Sequence, residues 1–259
     1  MYLKNIVAIT PVWNEPLGLI QKFLSGIKRV RSILAEKEIG FRHFFLDDGA
    51  LHLPDECSIL VRHKENLRLA KTLVDGYEAV LNLKSVPDLV IRLDCQEHDP
   101  EKIPFVIDHF SHASQLQALF LPVWYWVKGE DRPLMKDITM MITKFISGIS
   151  PVNRQAVLEV YNQKFPLGYQ AFRIAALRKL MNPLKKGLVL FQQKFNTSAS
   201  WGLDLLVILL AAKEYPEGVD FIFGGWSEPW QENRSPEKID AQRVKAEAMV
   251  ELAEELDYQ

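Results

Sequence analysis

The sequence predicts an α/β fold: a doubly wound, mostly parallel sheet flanked by helices, in a single domain with a C-terminal helical extension. Three observations carry that prediction. Short apolar runs alternate with longer segments of helical spacing, as parallel strands alternate with their crossover helices. Two of those runs end abruptly in acidic residues, as buried strands do when they leave the core at a cleft. No repeat or low-complexity tract breaks the pattern across the 259 residues.

The elements follow in order. Residues 5–12 (NIVAITPV) form a continuous apolar run, a buried strand ending at Pro11. Leu17–Leu34 has helical spacing at Leu17, Ile20, Leu24, Ile27 and Ile33, with Lys and Arg on the opposite side. Phe41–Asp48 reads as a second strand closed by a turn at Gly49, and Ser58–Val61 as a short third. Asn66–Leu83 carries the clearest apolar stripe (Leu67, Ala70, Leu73, Val74, Tyr77, Val80, Leu81), with Asn66 as its expected N-cap.

The stretch Leu89–Pro100 (LVIRLDCQEHDP) is the centre of the pattern. Its apolar start ends in Asp94, Gln96, Glu97, His98 and Asp99, and a helix over Pro100–Phe110 opens on Pro and Glu. Gln117–Val123 is expected to be a fifth strand. Further on, 133–149 reads as a helix, Ala171–Leu180 as a strand end running into a short helix, and Trp201–Lys213 as an apolar helix. Val219–Phe223 is a late strand. Ser235–Leu256 is a long charged helix with Ile239, Ala246, Met249, Val250, Ala253 and Leu256 facing inward.

Composition excludes several classes. A formal net charge of −2 argues against nucleic acid as a partner. The longest uncharged apolar run, Leu205–Ala212, falls far short of the roughly 20 residues that span a bilayer. The first strand begins right after Lys4, so no leader peptide is expected. Two cysteines, Cys57 and Cys95, suit neither a disulfide framework nor a zinc knuckle, and a cytoplasmic setting is expected. Peripheral membrane contact through Lys22, Lys28, Arg29 and Arg31 is an alternative to their being a solvated helix face. Nothing here matches a dinucleotide fingerprint, and no histidine pair has ligand spacing.

In an open parallel sheet the carboxyl ends of the strands line one crevice. Three ends bring candidates there: Pro11-Val12-Trp13-Asn14-Glu15, Asp47-Asp48-Gly49 and Asp94-Cys95-Gln96. Carboxylates gathered in this way repel one another unless a cation, a base or sugar hydroxyls compensate them.

The same segments carry a resemblance. TPVWNEP resembles the first-strand motif P-x-[YW]-N-E of the family 2 inverting glycosyltransferases of the GT-A fold. FFLDDGA is similar to their second-strand VDDGS, with Ala50 for Ser. NLRLAKTLVDGYEAV follows N-x-G-x-x-x-A-x-x-x-G loosely through Asn66, Ala70 and Gly76, with Arg68 where Gly is common. RLDCQEHDPEKIP resembles the D-x-D strand and trailing D-P-E-x-I-P of dolichol-phosphate mannosyltransferase-like members. GYQAFRIAALRKL and NRSPEK resemble two later segments, and the matches keep their order over nearly the whole chain.

That resemblance implies a GT-A-like domain over 1–230 (nucleotide-binding half 1–125, acceptor half 126–230) and a C-terminal helix over 231–259. It implies transfer of a sugar from a nucleoside-diphosphate sugar to an acceptor (glycan, lipid phosphate or small molecule), with inversion. Pro11, Asn14 and Glu15 would border the base and ribose, and so would Asp47 or Asp48, with Asp48 the more structural of the two. Lys71 would reach the nucleotide or phosphate, and Asp94 the ribose or a divalent cation (Mg²⁺ or Mn²⁺). Gln96 replaces the second Asp of D-x-D and is a poorer ligand. Glu97, His98, Asp99 or Glu101 are candidates to substitute for it. Asp204 is the candidate general base, and Arg234 and Lys238 a clamp on the diphosphate. Trp124, Trp126 and Trp201 are candidates for stacking on acceptor sugars, with ordinary core or a homodimer interface as the alternative. Two rival functions stand beside this one. One is a degenerate binding or partner-binding module. The other is a sugar nucleotidyltransferase, which would want a Gly-rich basic loop that TPVWNEPLG lacks.

Overall fold

The computed structural model describes residues 3–50, 53–96, 99–121, 123–124, 169–195, 203–222, 225–226 and 236–256; the side chains of 123–124, 203–204, 225–226, 236–243 and 246 lie outside that description. In chain order the elements are β1 (Asn5–Val12), α1 (Leu17–Glu36), β2 (Gly40–Asp47), β3 (Ile59–Arg62), α2 (Leu69–Leu81) and β4 (Leu89–Arg92). A 3-10 turn (Pro100–Lys102) leads into α3 (Ile103–His112), then β5 (Ala118–Phe120) and β6 (Val123–Trp124). The chain continues with β7 (Gln170–Arg173), α4 (Ile174–Phe195), α5 (Leu203–Glu214), β8 (Val219–Phe221), β9 (Gly225–Trp226) and α6 (Pro236–Glu255).

Seven strands make one sheet in the order β3-β2-β1-β4-β7-β5-β8. β1 pairs in parallel with β2 and β4, β2 with β3, and β5 with β8. Only β7, of these seven, runs antiparallel, wedged between β4 and β5. It therefore starts at the end of the sheet where β4 finishes, with Gln170 opposite Arg92. β1 is buried from Ile6 to Val12, because helices cover both faces. Val7, Ile9 and Val90 face the layer of α2, α4, α5 and α6, while Ile6, Ala8, Leu89 and Ile91 face α1 and α3.

Several expectations shift for identifiable reasons. The expected N-cap of α2, Asn66, lies outside the helix. Its Oδ1 accepts the Arg68 N–H at 2.8 Å, and Arg68 has φ 77°, which no helical residue adopts. The short helix after β7 becomes the 22-residue α4, since its buried stripe continues through Leu184, Leu188 and Phe191 despite Pro183. The expected fifth strand divides: β5 stays in the main sheet, and β6 pairs with β9 in a two-stranded sheet. The helix expected over 133–149 lies outside the described residues.

The apolar run in α5 is explained by its position. Leu205 to Ala212 are all buried, because α4, α6 and the sheet surround the helix. Among the described residues no helix is long and apolar enough to cross a membrane. Lys213 at its end donates to the carbonyls of Ala253, Glu254 and Leu256, satisfying the last turn of α6. In α6 Met249 and Ala253 are buried, joined by Ala248 and Leu252 and by Leu256 just past its end, so this helix packs on the same core. Ile239 and Ala246 lie outside the described side chains. On α1, Lys28 pairs with Glu56 and Arg29 with Glu101, so two of its basic residues are tied within the chain.

Two glycines place the layers. Gly49 has φ 83° in the turn after β2. At Gly76 an added Cβ would lie 2.2 Å from Leu46 Cδ1, so α2 rests directly on β2.

A buried histidine makes the core sensitive to acid. His43 Nε2 lies 3.0 Å from Thr10 Oγ1, its ring is edge-on to Phe45 and tilted against Phe23, and Arg31 supplies the nearby charge. Burial, with Arg31 second, lowers its pKa from 6.5 to about 3. Below pH 6.5 the unfolded chain binds a proton that the folded chain refuses. Stability should therefore fall by up to about 1.4 kcal/mol per pH unit as pH drops from that point toward the folded value. Urea unfolding of wild type and His43→Asn between pH 7 and roughly 4 tests this. The variant should lose that component of the slope; parallel curves would exclude His43 as its source.

Candidate functional site

The parallel strands β1, β2 and β4 end on one rim, and a cleft of about 290 Å³ opens there. The end of β1 contributes Pro11, Val12, Trp13 and Glu15, and the end of β2 contributes Asp48. The loop into α2 and its first turn contribute Asn66, Arg68, Leu69 and Thr72, and the end of β4 contributes Asp94 and Gln96.

Among the described residues the acidic side chains that line the cleft, Glu15, Asp48 and Asp94, are each engaged within the chain. Asp94 lies two residues beyond fully buried Arg92, whose Nη2 donates to both carboxylate oxygens at 2.9 and 2.8 Å. Asp48 Oδ1 accepts the Leu67 N–H at 2.9 Å and lies 2.9 Å from His63 Nδ1. His63 Nε2 is 3.1 Å from Asp75 Oδ2, and Lys71 closes on the same Asp75 carboxylate. Glu15 accepts the Trp13 N–H at 2.7 Å, closing the turn after β1 and leaving the indole 51% exposed on the rim.

Asp47 behaves differently from its neighbour. It is buried, accepts the Ala50 N–H at 2.7 Å and pairs with Arg62 Nε at 2.9 Å. It thus holds the β2 turn to β3, while Asp48 is the one that lines the cleft. Of the residues expected here, Pro11, Glu15, Asp48, Asp94 and Gln96 come together; Asn14, Asp47 and Lys71 do not line the cleft. Trp126, Trp201 and Arg234 lie outside the described residues. Asp204 and Lys238 fall in the first turns of α5 and α6, and Trp124 stands opposite Trp226 in the β6–β9 register.

The site also holds residues that local sequence reasoning passed over. His63, which has no ligand spacing to any other histidine, bridges two carboxylates that stand 15 and 12 residues away in sequence. Thr72 is fully buried against the cleft. Arg68 is exposed on the rim with φ 77° and ψ 153°. That backbone region is nearly reserved for glycine, and holding another residue there costs of order 1–3 kcal/mol. The one available signal was Arg68 itself, standing where a glycine is usual.

A hard divalent cation needs several oxygen ligands directed at one point. Among the described residues no three His, Cys, Asp or Glu side chains gather for one. Asp94 is held by a guanidinium, and Gln96 is neutral. Asp99 caps the 3-10 turn through the Glu101 N–H at 2.9 Å, and Glu101 pairs with Arg29. Glu97 and His98 lie outside the described residues. Among the described residues the donor set does not fit the cation that the resemblance implies.

No family model matches the chain, and no curated protein matches it. Its fold is similar to that of glucosyl-3-phosphoglycerate synthase from Mycobacterium tuberculosis, solved in complex with phosphoglyceric acid: TM-score 0.52, 13% identity, 98% of this chain and 81% of that one. Mannosyl-3-phosphoglycerate synthase from Rubrobacter xylanophilus aligns with TM-score 0.53 and 9% identity over 96% of this chain and 73% of that one. A mycobacterial protein aligns with TM-score 0.55 and 11% identity, over 98% and 76%. At these identities the likeness is one of fold, and the fold is GT-A-like.

The Arg92–Asp94 pair makes a stability prediction. Asp94→Ala removes the carboxylate that faces a buried guanidinium and should cost roughly 3 kcal/mol in urea unfolding. Arg92→Met in the same chain should recover most of that loss, because an apolar side chain does not need the carboxylate. An Asp94→Ala protein as stable as wild type would show that the pair is not needed.

Proposed function

We propose that this protein is a glycosyltransferase that binds a nucleoside-diphosphate sugar in the cleft and transfers the sugar to a small-molecule acceptor. The observation that carries this reading is the cleft's position at the carboxyl ends of β1, β2 and β4. Open α/β sheets bind their ligands there. Two of the fold neighbours are a glucosyl- and a mannosyl-3-phosphoglycerate synthase, which supports the class, and the phosphoglyceric acid bound to one makes a small phosphorylated acid the first acceptor to test. A dolichol-phosphate mannosyltransferase-like role would replace it with a lipid phosphate. We place the activity in the cytoplasm, a proposal supported by two free cysteines.

Trp13 offers an indole face on the rim for the base, and Glu15, Asp48 and Asp94 offer oxygens for base and ribose. In the reaction the acceptor hydroxyl attacks the anomeric carbon and the bond to the diphosphate oxygen breaks. The hydroxyl proton passes to a carboxylate, for which Asp204 is our candidate. One displacement of this kind inverts the anomeric centre. An acceptor that is already a phosphate anion would need no base. No step is routed through a divalent cation, for which the described donors do not fit.

A second reading is kept alive by Gln96 and by the commitment of Asp94 to Arg92: a chain that binds nucleotide sugar without turning it over.

Calorimetric titration with UDP, GDP, dTDP and CDP tests the proposal. One of them should bind in the micromolar range, and Asp94→Asn should weaken it about tenfold, or 1.4 kcal/mol. The matching nucleotide sugar with 3-phosphoglycerate should then yield free nucleoside diphosphate and a glycosylated acid. Binding without release supports the second reading, and no binding by any nucleotide removes both.

A further inference from the structure

The cleft has an unusual balance of charge. Its three carboxylates, Glu15, Asp48 and Asp94, each have a donor from the protein itself. A nucleoside diphosphate entering it brings further negative charge, and the described donors do not assemble a cation site to neutralise it. Among the described residues lining the cleft, one carries a positive charge: Arg68.

Three features single out this side chain. It is exposed on the cleft rim, and among the described residues its guanidinium makes no ion pair or hydrogen bond. Among the described residues the other arginines beside the rim are committed, Arg92 to Asp94 and Arg62 to Asp47. Its backbone is in a conformation that a glycine would take without strain, yet the chain places its longest basic side chain there. The strained backbone is anchored by the Asn66 side chain and by the Asp48–Leu67 bond on the preceding residue, so the guanidinium leaves from a fixed point.

We propose that Arg68 is the cation that grips the donor's diphosphate, replacing a divalent metal ion. This rests on the function proposed above and names the group that holds the leaving nucleoside diphosphate. A planar guanidinium forks two N–H donors toward phosphate oxygens and needs no coordination sphere. Gln96, a poor metal ligand, costs such a site nothing: the charge of the second Asp would only repel the diphosphate once the metal was gone.

The test compares wild type, Arg68→Gly and Arg68→Lys in titrations with the four nucleoside diphosphates and their parent nucleosides, each in EDTA, Mg²⁺ or Mn²⁺. Wild type should bind its diphosphate equally, within about twofold, with and without chelator. Arg68→Gly should melt about 3 °C higher, because glycine relieves the backbone. It should nevertheless bind the diphosphate at least tenfold more weakly, while affinity for the nucleoside stays unchanged. Arg68→Lys should keep part of the affinity, since the charge remains without the fork. Full diphosphate affinity in Arg68→Gly would overturn the assignment and leave the glycosyltransferase reading standing. So would wild-type binding that disappears in EDTA. No diphosphate binding by wild type would remove that reading and this one together.

Discussion

A guanidinium with no exposure to water sits in the middle strand of this sheet. Arg92 is the last residue of β4, flanked by β1 and β7, and its charge is compensated by Asp94 two positions on. A buried charge without a partner is among the most expensive features a core can contain. The carboxylate at the rim is therefore not free to be placed for chemistry alone. Its position is set from below, and with it the floor of the cleft. Next to this pair, in register, β7 brings Gln170, whose side chain accepts the Tyr77 hydroxyl at 3.1 Å. Polar groups thus run from the cleft floor into the layer under α2.

The same logic governs the opposite wall. Asp48 is anchored to Leu67 and His63, and His63 reaches Asp75, which Lys71 neutralises. Two carboxylates, an imidazole and an ammonium join the end of β2 to the first two turns of α2. Gly76 completes the joint by letting α2 settle onto Leu46. The loop from β3 into α2 is held at both ends by these contacts, and this is the setting in which a non-glycine residue at φ 77° persists. A site whose described acids, Glu15, Asp48 and Asp94, are tied inward presents shape and hydrogen-bond acceptors, and its positive charge among the described lining residues is on the rim, at Arg68.

The antiparallel β7 shapes the other half of the molecule. Because it starts at the rim and runs back, it delivers the chain directly into α4 at the far end of the sheet. α4, α5 and α6 then stack as a helical layer in which α5 is buried on every side. That burial explains an eight-residue apolar run with no amphipathic face, and its length shows why the core is its place: it is too short for a bilayer.

Local pattern was enough to determine the alternation of strands and helices, and to place the end of β1 within one residue, because a buried parallel strand must be continuously apolar and must end where the core ends. The rim residues Pro11, Glu15, Asp48, Asp94 and Gln96 were legible for that reason: each stands at or just beyond a strand end. What residues meet across the fold was not legible. That His63 lies between Asp48 and Asp75, that Asp47 turns away to Arg62, and that Asp94 answers to Arg92 follow from register and packing between elements. The direction of β7 was equally beyond reach, since an apolar strand of four residues reads the same whichever way its neighbours run. Local sequence decides where the chain becomes a strand, a turn or a helix, through periodicity and backbone sterics. Only the tertiary structure decides which charges find each other, because that depends on distances between residues that the sequence leaves far apart.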